Sequence, residues 1–276
     1  GVKKTGPLII SIPRHLFTVR GLRLPAVDEA ELKDMAALQA GKQLPYPADE
    51  LIWDFRIIEK RPDGYSDIAL ILGHRNVLDR YINILKKAGL EPDKAILSSE
   101  ALYGWYFAAS GSREAEELRG QIRAIADIDT SHIDIIIVRD GILDFSRSFL
   151  VKDDLQEMVE EIRKTFYSYE KENSKTIGSV VLTGIEQRAA SLKPLLAGVE
   201  TTNKPAEFVH PLKAASADYR EALSDFLEVS RDTSFACSLG LAYNPQILKM
   251  DFLPPELKEQ RLLREMNEHG WPVTFS

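Results

Sequence analysis

The stretch from Ile122 to Leu150 constrains this chain more than any other. An apolar run from Ile122 ends at Asp127. Asp129, Thr130 and Ser131 then make a short polar turn, and a second apolar run covers Ile133 to Val138. Arg139-Asp-Gly141 reverses the chain into a third run, Ile142 to Leu150. Asp-Gly between alternating apolar runs is a strong hairpin signal, because both positions tolerate positive φ. The segment reads as a buried three-stranded meander with carboxylates and hydroxyls at its first turn.

A chain of 276 residues is long enough for one large or two small domains with a substantial core. Its 44% hydrophobic and 28% charged residues describe an ordinary globular protein. A formal net charge of -7 argues against general affinity for nucleic acid or anionic lipid. Cys237 is the only cysteine and lies in an apolar run, so it reads as a small buried side chain rather than a nucleophile. A single thiol makes no internal disulfide, which fits a reducing cytoplasm. The histidines (His15, His74, His132, His210 and His269) lack metal-ligand spacing, so no metal is expected. No apolar run reaches bilayer length, and none opens the chain as a signal peptide would. The first residue is Gly1 rather than methionine, and the expectation is a piece of a longer protein.

Short strands are expected over Leu8 to Ile12 and Phe17 to Leu24. Asp28 and Glu31 form a capping box for a helix whose Leu32, Met35, Ala36 and Gln39 share one face. Leu51 to Glu59 and Ser66 to Gly73 read as strands around a Pro62-Asp-Gly64 turn. A helix follows from Asn76 to Ala88, and Lys94 to Leu97 is a further strand. Glu100 to Ser110 is a helix rich in aromatic residues, which reads as core, and Ser110 to Gly120 is a polar hinge. Beyond the meander, Asp153 to Glu172 is the longest helix, with Leu155, Met158, Val159, Ile162, Phe166 and Tyr169 on its buried stripe. Ser179 to Thr183 is an apolar strand. Helices are expected over Glu186 to Leu196, Tyr219 to Leu227 and Ser234 to Tyr243, the last ended by Asn244-Pro245.

Several segments, in one order, resemble the type IV pilus assembly protein PilM and the cytoplasmic domain of the type II secretion protein GspL. They are Leu22-Arg-Leu-Pro25 with Glu29-Ala-Glu-Leu32, and Gln43-Leu-Pro-Tyr-Pro47 leading to Asp54. Ala88-Gly-Leu-Glu-Pro92, Glu100-Ala-Leu102, Asp127-Ile-Asp-Thr130 and Arg139-Asp-Gly141 follow. Phe145-Ser-Arg-Ser148, Val181-Leu-Thr-Gly184 and Leu239-Gly-Leu-Ala242 complete the series. The resemblance implies an α/β, actin-like (ribonuclease-H-like) two-lobe fold with an inserted small α+β subdomain. It further implies that the N-terminal phosphate hairpin is missing. The expected division is 1–26 with 98–118 as the remnant of the first lobe, 27–97 as the insert, 119–249 as the second lobe and 250–276 as a tail. That tail, Met250-Asp-Phe-Leu-Pro-Pro-Glu256 and then Arg261 to Glu265, resembles the cytoplasmic start of PilN, the membrane partner that docks on PilM. Phe252, Leu253, Pro254, Pro255 and Glu256 are the expected docking residues: an apolar pair on a backbone that proline stiffens. The plainer account makes Leu253-Pro-Pro-Glu256 a helix start, with Pro255 in the first turn. If the resemblance holds, a transmembrane helix is expected beyond Ser276.

Within this family pattern, Asp127, Asp129, Thr130, Ser131, Asp134, Thr183 and Gly184 fall at the nucleotide site. Asp129 stands where the family has a glycine, and Ile185 where it has a second glycine. An aspartate there adds bulk and like charge, and a β-branched residue disfavours positive φ. The expectation is a degenerate site with no catalytic residue and no cofactor. The protein then serves as an assembly-platform scaffold at the cytoplasmic face of a bacterial inner membrane. It would link a PilN-like or GspM-like membrane protein, or its own fused segment, to a secretion or pilus assembly ATPase, with a homodimer as a further expectation. Two alternatives stand. Asp127, Thr130, Ser131 and Asp134 hold ATP and magnesium, or Asp127-Ile-Asp129 is the nucleophile pair of a haloacid-dehalogenase-type phosphatase. The plain account of the acidic turn is that its residues are good turn formers.

Overall fold

Alternation in one strand organises the first half of the molecule. Along Ser66–His74, Ile68, Leu70 and Leu72 face one way and Ala69 and Ile71 the other, and all five are buried. A strand apolar on both sides needs cover on both sides. The computed structural model, which describes residues 6–43, 46–110, 120–197, 205–214, 232–243 and 247–268, shows how that cover is supplied. Strand β1 spans Ile9–Ile12, β2 Thr18–Leu24, β3 Leu51–Lys60, β4 Ser66–His74 and β5 Lys94–Leu97. Helix α1 spans Glu29–Gln43 and α2 Arg75–Lys87. Strands β2, β4 and β3 form an antiparallel sheet in that order. Leu32, Ala36 and Ala40 of α1 cover one face, and Leu78 and Ile82 of α2 cover the other. The Asp28 carboxylate accepts the N–H of Ala30 (2.9 Å) and of Glu31 (3.2 Å), capping α1 as the sequence predicts. Strands β1 and β5 pair in parallel as a separate two-stranded sheet, so the three-stranded sheet and its helices lie in the connection between them.

The predicted meander is present. It consists of β6 (Ile122–Ile128), β7 (His132–Arg139) and β8 (Ile142–Leu150), with Asp140 and Gly141 at φ 52 and 79 in the hairpin turn. Helix α3 (Ser98–Ser110) precedes it. After it come α4 (Leu155–Asn173), β9 (Ser179–Gly184), α5 (Glu186–Ala197), β10 (Ala206–Phe208), α6 (Ala236–Tyr243) and α7 (Pro255–Glu268). The sheet order is β10-β9-β6-β7-β8, with β9 and β10 parallel to the chain direction of β6 and the meander antiparallel. This is the ribonuclease-H-like arrangement. Residues of α4 and α5 pack on Ala124, Ala126 and Ile128 of β6, while α3 and α6 pack on Ile125 on the opposite face.

Some boundaries differ from the sequence reading, each for a local reason. Helix α6 starts at Ala236 rather than Ser234, because Ser234 caps it by accepting the Ala236 N–H (3.3 Å). Leu155 is exposed, since the N-terminus of α4, capped by Asp154, extends past the sheet's cover. Strand β10 gave no signal: it has three residues with Glu207 in the middle. The expected helix Tyr219 to Leu227, the stop at Asn244-Pro245, Leu44-Pro45 of the link, positions 111–119 of the hinge and the tail beyond 268 lie outside the described residues.

Helices α3 and α6 touch backbone to backbone. A Cβ at Gly240 would lie 1.9 Å from the Ala101 carbonyl oxygen and 2.7 Å from the Trp105 nitrogen, and one at Gly104 would lie 3.0 Å from the Gly240 carbonyl. Two glycines thus set the spacing of the layer that covers the second sheet. Gly240→Ala must push the helices apart, and a loss of about 3 kcal/mol or more is expected on urea unfolding, at or above the usual overpacking range. An unchanged midpoint would contradict the close crossing.

Candidate functional site

The polar turn of the meander lies at one end of the second sheet. Asp127, near the end of β6, stands in register between Asp134 on β7 and Thr183 on β9. It is 5% exposed. The Ser234 hydroxyl donates to its Oδ1, and the Cys237 thiol to its Oδ2 at 3.7 Å. Burial pushes the Asp127 carboxyl up to about 7, opposed by the Ser234 hydrogen bond and aided by the charges of Asp134 and Asp129. Burial, reinforced by the charge of Asp127, also raises the Cys237 thiol well above its ordinary range, so it is no nucleophile.

Asp129 fills the turn instead of leaving it open. Its Oδ1 accepts the N–H of Thr130 (2.8 Å) and of Ser234 (3.0 Å), and its own N–H closes the turn on the His132 carbonyl (3.0 Å). The Thr130 hydroxyl also turns to Asp129 (3.3 Å), and Ser131 pairs with His132 Nδ1 (2.9 Å). Arg188 of α5 donates to the carbonyls of Asp129 and Thr130, both at 3.0 Å. Gly184 takes the left-handed conformation at φ +93, where a Cβ would lie 2.6 Å from Asp127 Oδ1 and 2.4 Å from the Ile128 carbonyl. The sequence reading placed the backbone difficulty at Ile185. The structure places the positive φ on Gly184 alone, and Ile185 is buried with its N–H on the Ile128 carbonyl (2.8 Å). Thr183 is fully buried, and its hydroxyl has no partner among the described residues.

Asp134 faces the first lobe. It accepts from the Ser98 hydroxyl (2.5 Å), which in turn accepts the Arg14 N–H (2.9 Å). The Arg14 side chain is 8% exposed and crosses to β8. Its Nε donates to Ser146 Oγ (2.8 Å), one terminal nitrogen to the Ser146 carbonyl (2.9 Å) and the other to the Phe17 carbonyl (2.7 Å). Burial lowers the Arg14 pKa to about 10, with the Asp134 charge the first compensation. Beside it the rings of His15 and His132 stack at 3.8 Å, 6° from parallel.

The structure therefore brings Thr183 and Gly184 beside Asp127 and holds Asp127 and Asp129 together through Ser234, with Thr130 and Ser131 consumed by the turn and Asp134 by Ser98. The carboxylates already hold protein donors, so a cation or phosphate would have to displace the start of α6. Both oxygens of Asp127 are engaged by protein donors. Ser234, Ser98 and Arg14 were not foreseen. Ser234 precedes an apolar helix as a cap does, but nothing in the sequence brings Arg14 to Ser146, 132 positions away.

The second candidate region is the tail. Phe252 and Leu253 are 2% and 4% exposed and sit in a core with Ile12, Phe17, Leu78, Ile82 and Leu97. The Phe252 ring lies 5.0 Å from that of Phe17. Its N–H donates to the Ala95 carbonyl (2.8 Å), and the Ala95 N–H donates to Asp251 Oδ1 (3.1 Å), so the segment lies along β5. Asp251 also donates its N–H to Asp54 (3.1 Å) and is held by Lys258 (3.1 Å), while Lys94 donates to the Leu248 carbonyl. Burial raises the Asp54 pKa. Pro254 is buried; Pro255 begins α7, and Glu256 makes a two-pronged pair with Arg75 (3.2 Å each). The helix-start account and the seated-segment account thus both describe the residues: α7 does begin here, and the residues before it fill a groove.

No protein-family model matches the chain. It is 23% identical over 230 residues to the type II secretion system protein L of Xanthomonas campestris pv. campestris, which covers 68% of this chain and 62% of that protein. The chain thus spans somewhat under two thirds of that relative's length. In structure it is similar to a PilM-PilN type IV pilus biogenesis complex, with TM-score 0.67, 17% identity, 85% of this chain covered and 77% of the other. The cytoplasmic domain of EpsL, an inner membrane component of the type II secretion system of Vibrio cholerae, gives TM-score 0.47 at 10% identity over 92% of this chain and 80% of that one.

The buried carboxyl at Asp127 has a pH signature. Its native pKa is above its unfolded value, so between about pH 4 and 7 the native state binds the extra proton, and stability falls as pH rises through that window. Asp127→Asn keeps an acceptor for Ser234 and removes the charge. It is expected to raise stability at pH 8 by several kcal/mol, at about 1.4 kcal/mol per pKa unit, with the gain vanishing near pH 4. Urea unfolding of both proteins across that range checks it; a gain independent of pH would refute the assignment.

Proposed function

We propose that this actin-like, PilM/GspL-like protein is an assembly-platform scaffold of a type IV pilus or type II secretion machine, and that it carries its membrane-partner segment in its own chain. The observation that carries the reading is the seat of Phe252 and Leu253 in the groove beside β5. The pilus complex it resembles in fold is one of PilM with PilN. Here the residues that look like a PilN start occupy a groove of the same polypeptide, and α7 leads away from it. In this reading residues 250–276 are the docking and juxtamembrane tail. The remainder divides as 1–26 with 98–118, 27–97 and 119–249. The scaffold works at the cytoplasmic face of the inner membrane, where its other surfaces meet a GspM-like membrane protein, the assembly ATPase or a second copy. Among the described residues no helix is long and apolar enough to cross a membrane.

The filled nucleotide end supports a structural rather than a catalytic role for this fold. Ser234 already donates to the carboxylates of Asp127 and Asp129 that a cation would otherwise need. Isothermal titration of magnesium-ATP into the protein is expected to give no heat at millimolar nucleotide; saturable heat or turnover would reinstate the ATP-binding alternative. Phe252→Ala is expected to cost about 3–5 kcal/mol of global stability, because the side chain is an integral part of the first lobe's core. A cost within about 0.5 kcal/mol, the range of a surface substitution, would show the tail to be loosely attached and remove the basis of the reading.

A further inference from the structure

The short turn after β1 sends two basic side chains toward the second lobe. Arg14 crosses to Ser146 of β8, while His15 lays its ring flat on that of His132, the first residue of β7. The ring centroids are 3.8 Å apart and the planes 6° from parallel. The stack is therefore a face-to-face contact between lobes, made by the side-chain type whose charge changes nearest neutral pH.

The two rings are not held alike. Ser131 pairs with His132 Nδ1 (2.9 Å), and Nε2 of that ring is closed off from solvent, so His132 is fixed in the second lobe. His15 is exposed on its outer side and makes no hydrogen bond or ion pair among the described residues. The stack alone places it, and protons reach it without prior opening.

The charges around His15 come from both sides of the contact. Its own turn supplies the Arg14 guanidinium, and β7 supplies His132 and Asp134. Helix α3 adds only the neutral Ser98 hydroxyl, donated to Asp134 (2.5 Å), and β8 adds Leu150, opposite His132 in register. Asp134 is the one carboxylate of the set and is already engaged. Burial lowers the His15 pKa from its ordinary value, and the His132 ring adds to the shift; Asp134 opposes it and Arg14 reinforces it. The closed contact thus binds a proton less readily than a free histidine does. It is favoured above about pH 6.5 and loses that advantage as pH falls. Asp127 acts in the opposite sense and lies within the second sheet, so the two groups are separable.

We propose that His15 is a pH-operated latch between the lobes, its neutral ring on His132 favouring the closed pair and its imidazolium beside Arg14 favouring separation. Arg14 defines where the closed lobes sit; His15 biases how much of the population is closed. Each unit by which the closed-state pKa lies below the open-state one lets protonation favour the open state by up to about tenfold. The latch does not depend on the scaffold reading.

The test is the distance between nitroxide labels at Leu38→Cys on α1 and Tyr167→Cys on α4, two exposed positions, in the whole chain with Cys237→Ser. Helix α1 packs on the sheet that the His15 turn leads into, and α4 packs on the second sheet. From about pH 8 to about pH 5 a longer-distance population is expected to grow at the expense of the short one. His15→Phe keeps a flat ring for the stack and takes up no proton, and it is expected to hold the short distance across the range. A distance independent of pH with His15 in place, or the same growth of the longer distance in His15→Phe, overturns the proposal.

Discussion

One buried guanidinium holds the two halves of this molecule at a single separation. Arg14 sits in a short turn of the first lobe, and its side chain ends on Ser146 in the edge strand of the second. A guanidinium this deep must have an acceptor at each of its three nitrogens, because an unpaired buried charge is far costlier than an unmade neutral contact. The carbonyls of Phe17 and Ser146 and the Ser146 hydroxyl satisfy that demand only at one relative placement of the lobes. Ser98 and Asp134 add a second crossing beside it, and the Arg139–Glu59 pair (3.4 Å) a third between the inserted sheet and the meander. Within the second lobe, the start of α6 settles into the end of β6.

That settlement accounts for how an end of the sheet rich in carboxylates is held together. Asp127 and Asp134 are cross-strand neighbours, and two close carboxylates need either a cation between them or separate donors. The protein takes the second course. Ser234 serves Asp127 and Asp129, Ser98 serves Asp134, and burial moves Asp127 toward its neutral form. The arrangement is self-contained, with the chain's own hydroxyls and amides in the roles that a bound ion would otherwise take.

Much of the fold could be read from local pattern. The Asp140-Gly141 turn, the strand expected over Ser66 to Gly73 and the cap at Asp28 each state their geometry within a few residues, and each is found. The candidate residues of the acidic turn were legible for the same reason: their chemistry is concentrated in one short stretch. What stayed hidden depends on distance along the chain. Nothing near Ser234 announces Asp127, 107 positions away, and nothing near Arg14 announces Ser146. Gly240 looks like any small residue in an apolar helix until the Ala101 carbonyl is found against it. Strand β10 is three residues long and exists because β9 offers it an edge, a tertiary cause without a local trace.

The place of Phe252 against Ala95 carries a consequence for synthesis. Strands β1 and β5 alone make a sheet of two, which is marginal in water. The residues that bury its open side come some 150 positions later in the chain. At ribosomal speeds of about 5–20 residues per second, the early part of the polypeptide waits roughly 10–30 seconds for its final wall. During that interval the greasy surface around Phe17 and Leu97 is bare. The last-made segment is thus the keystone of the first-made lobe, and a nascent chain that stalls before residue 250 leaves that lobe incomplete.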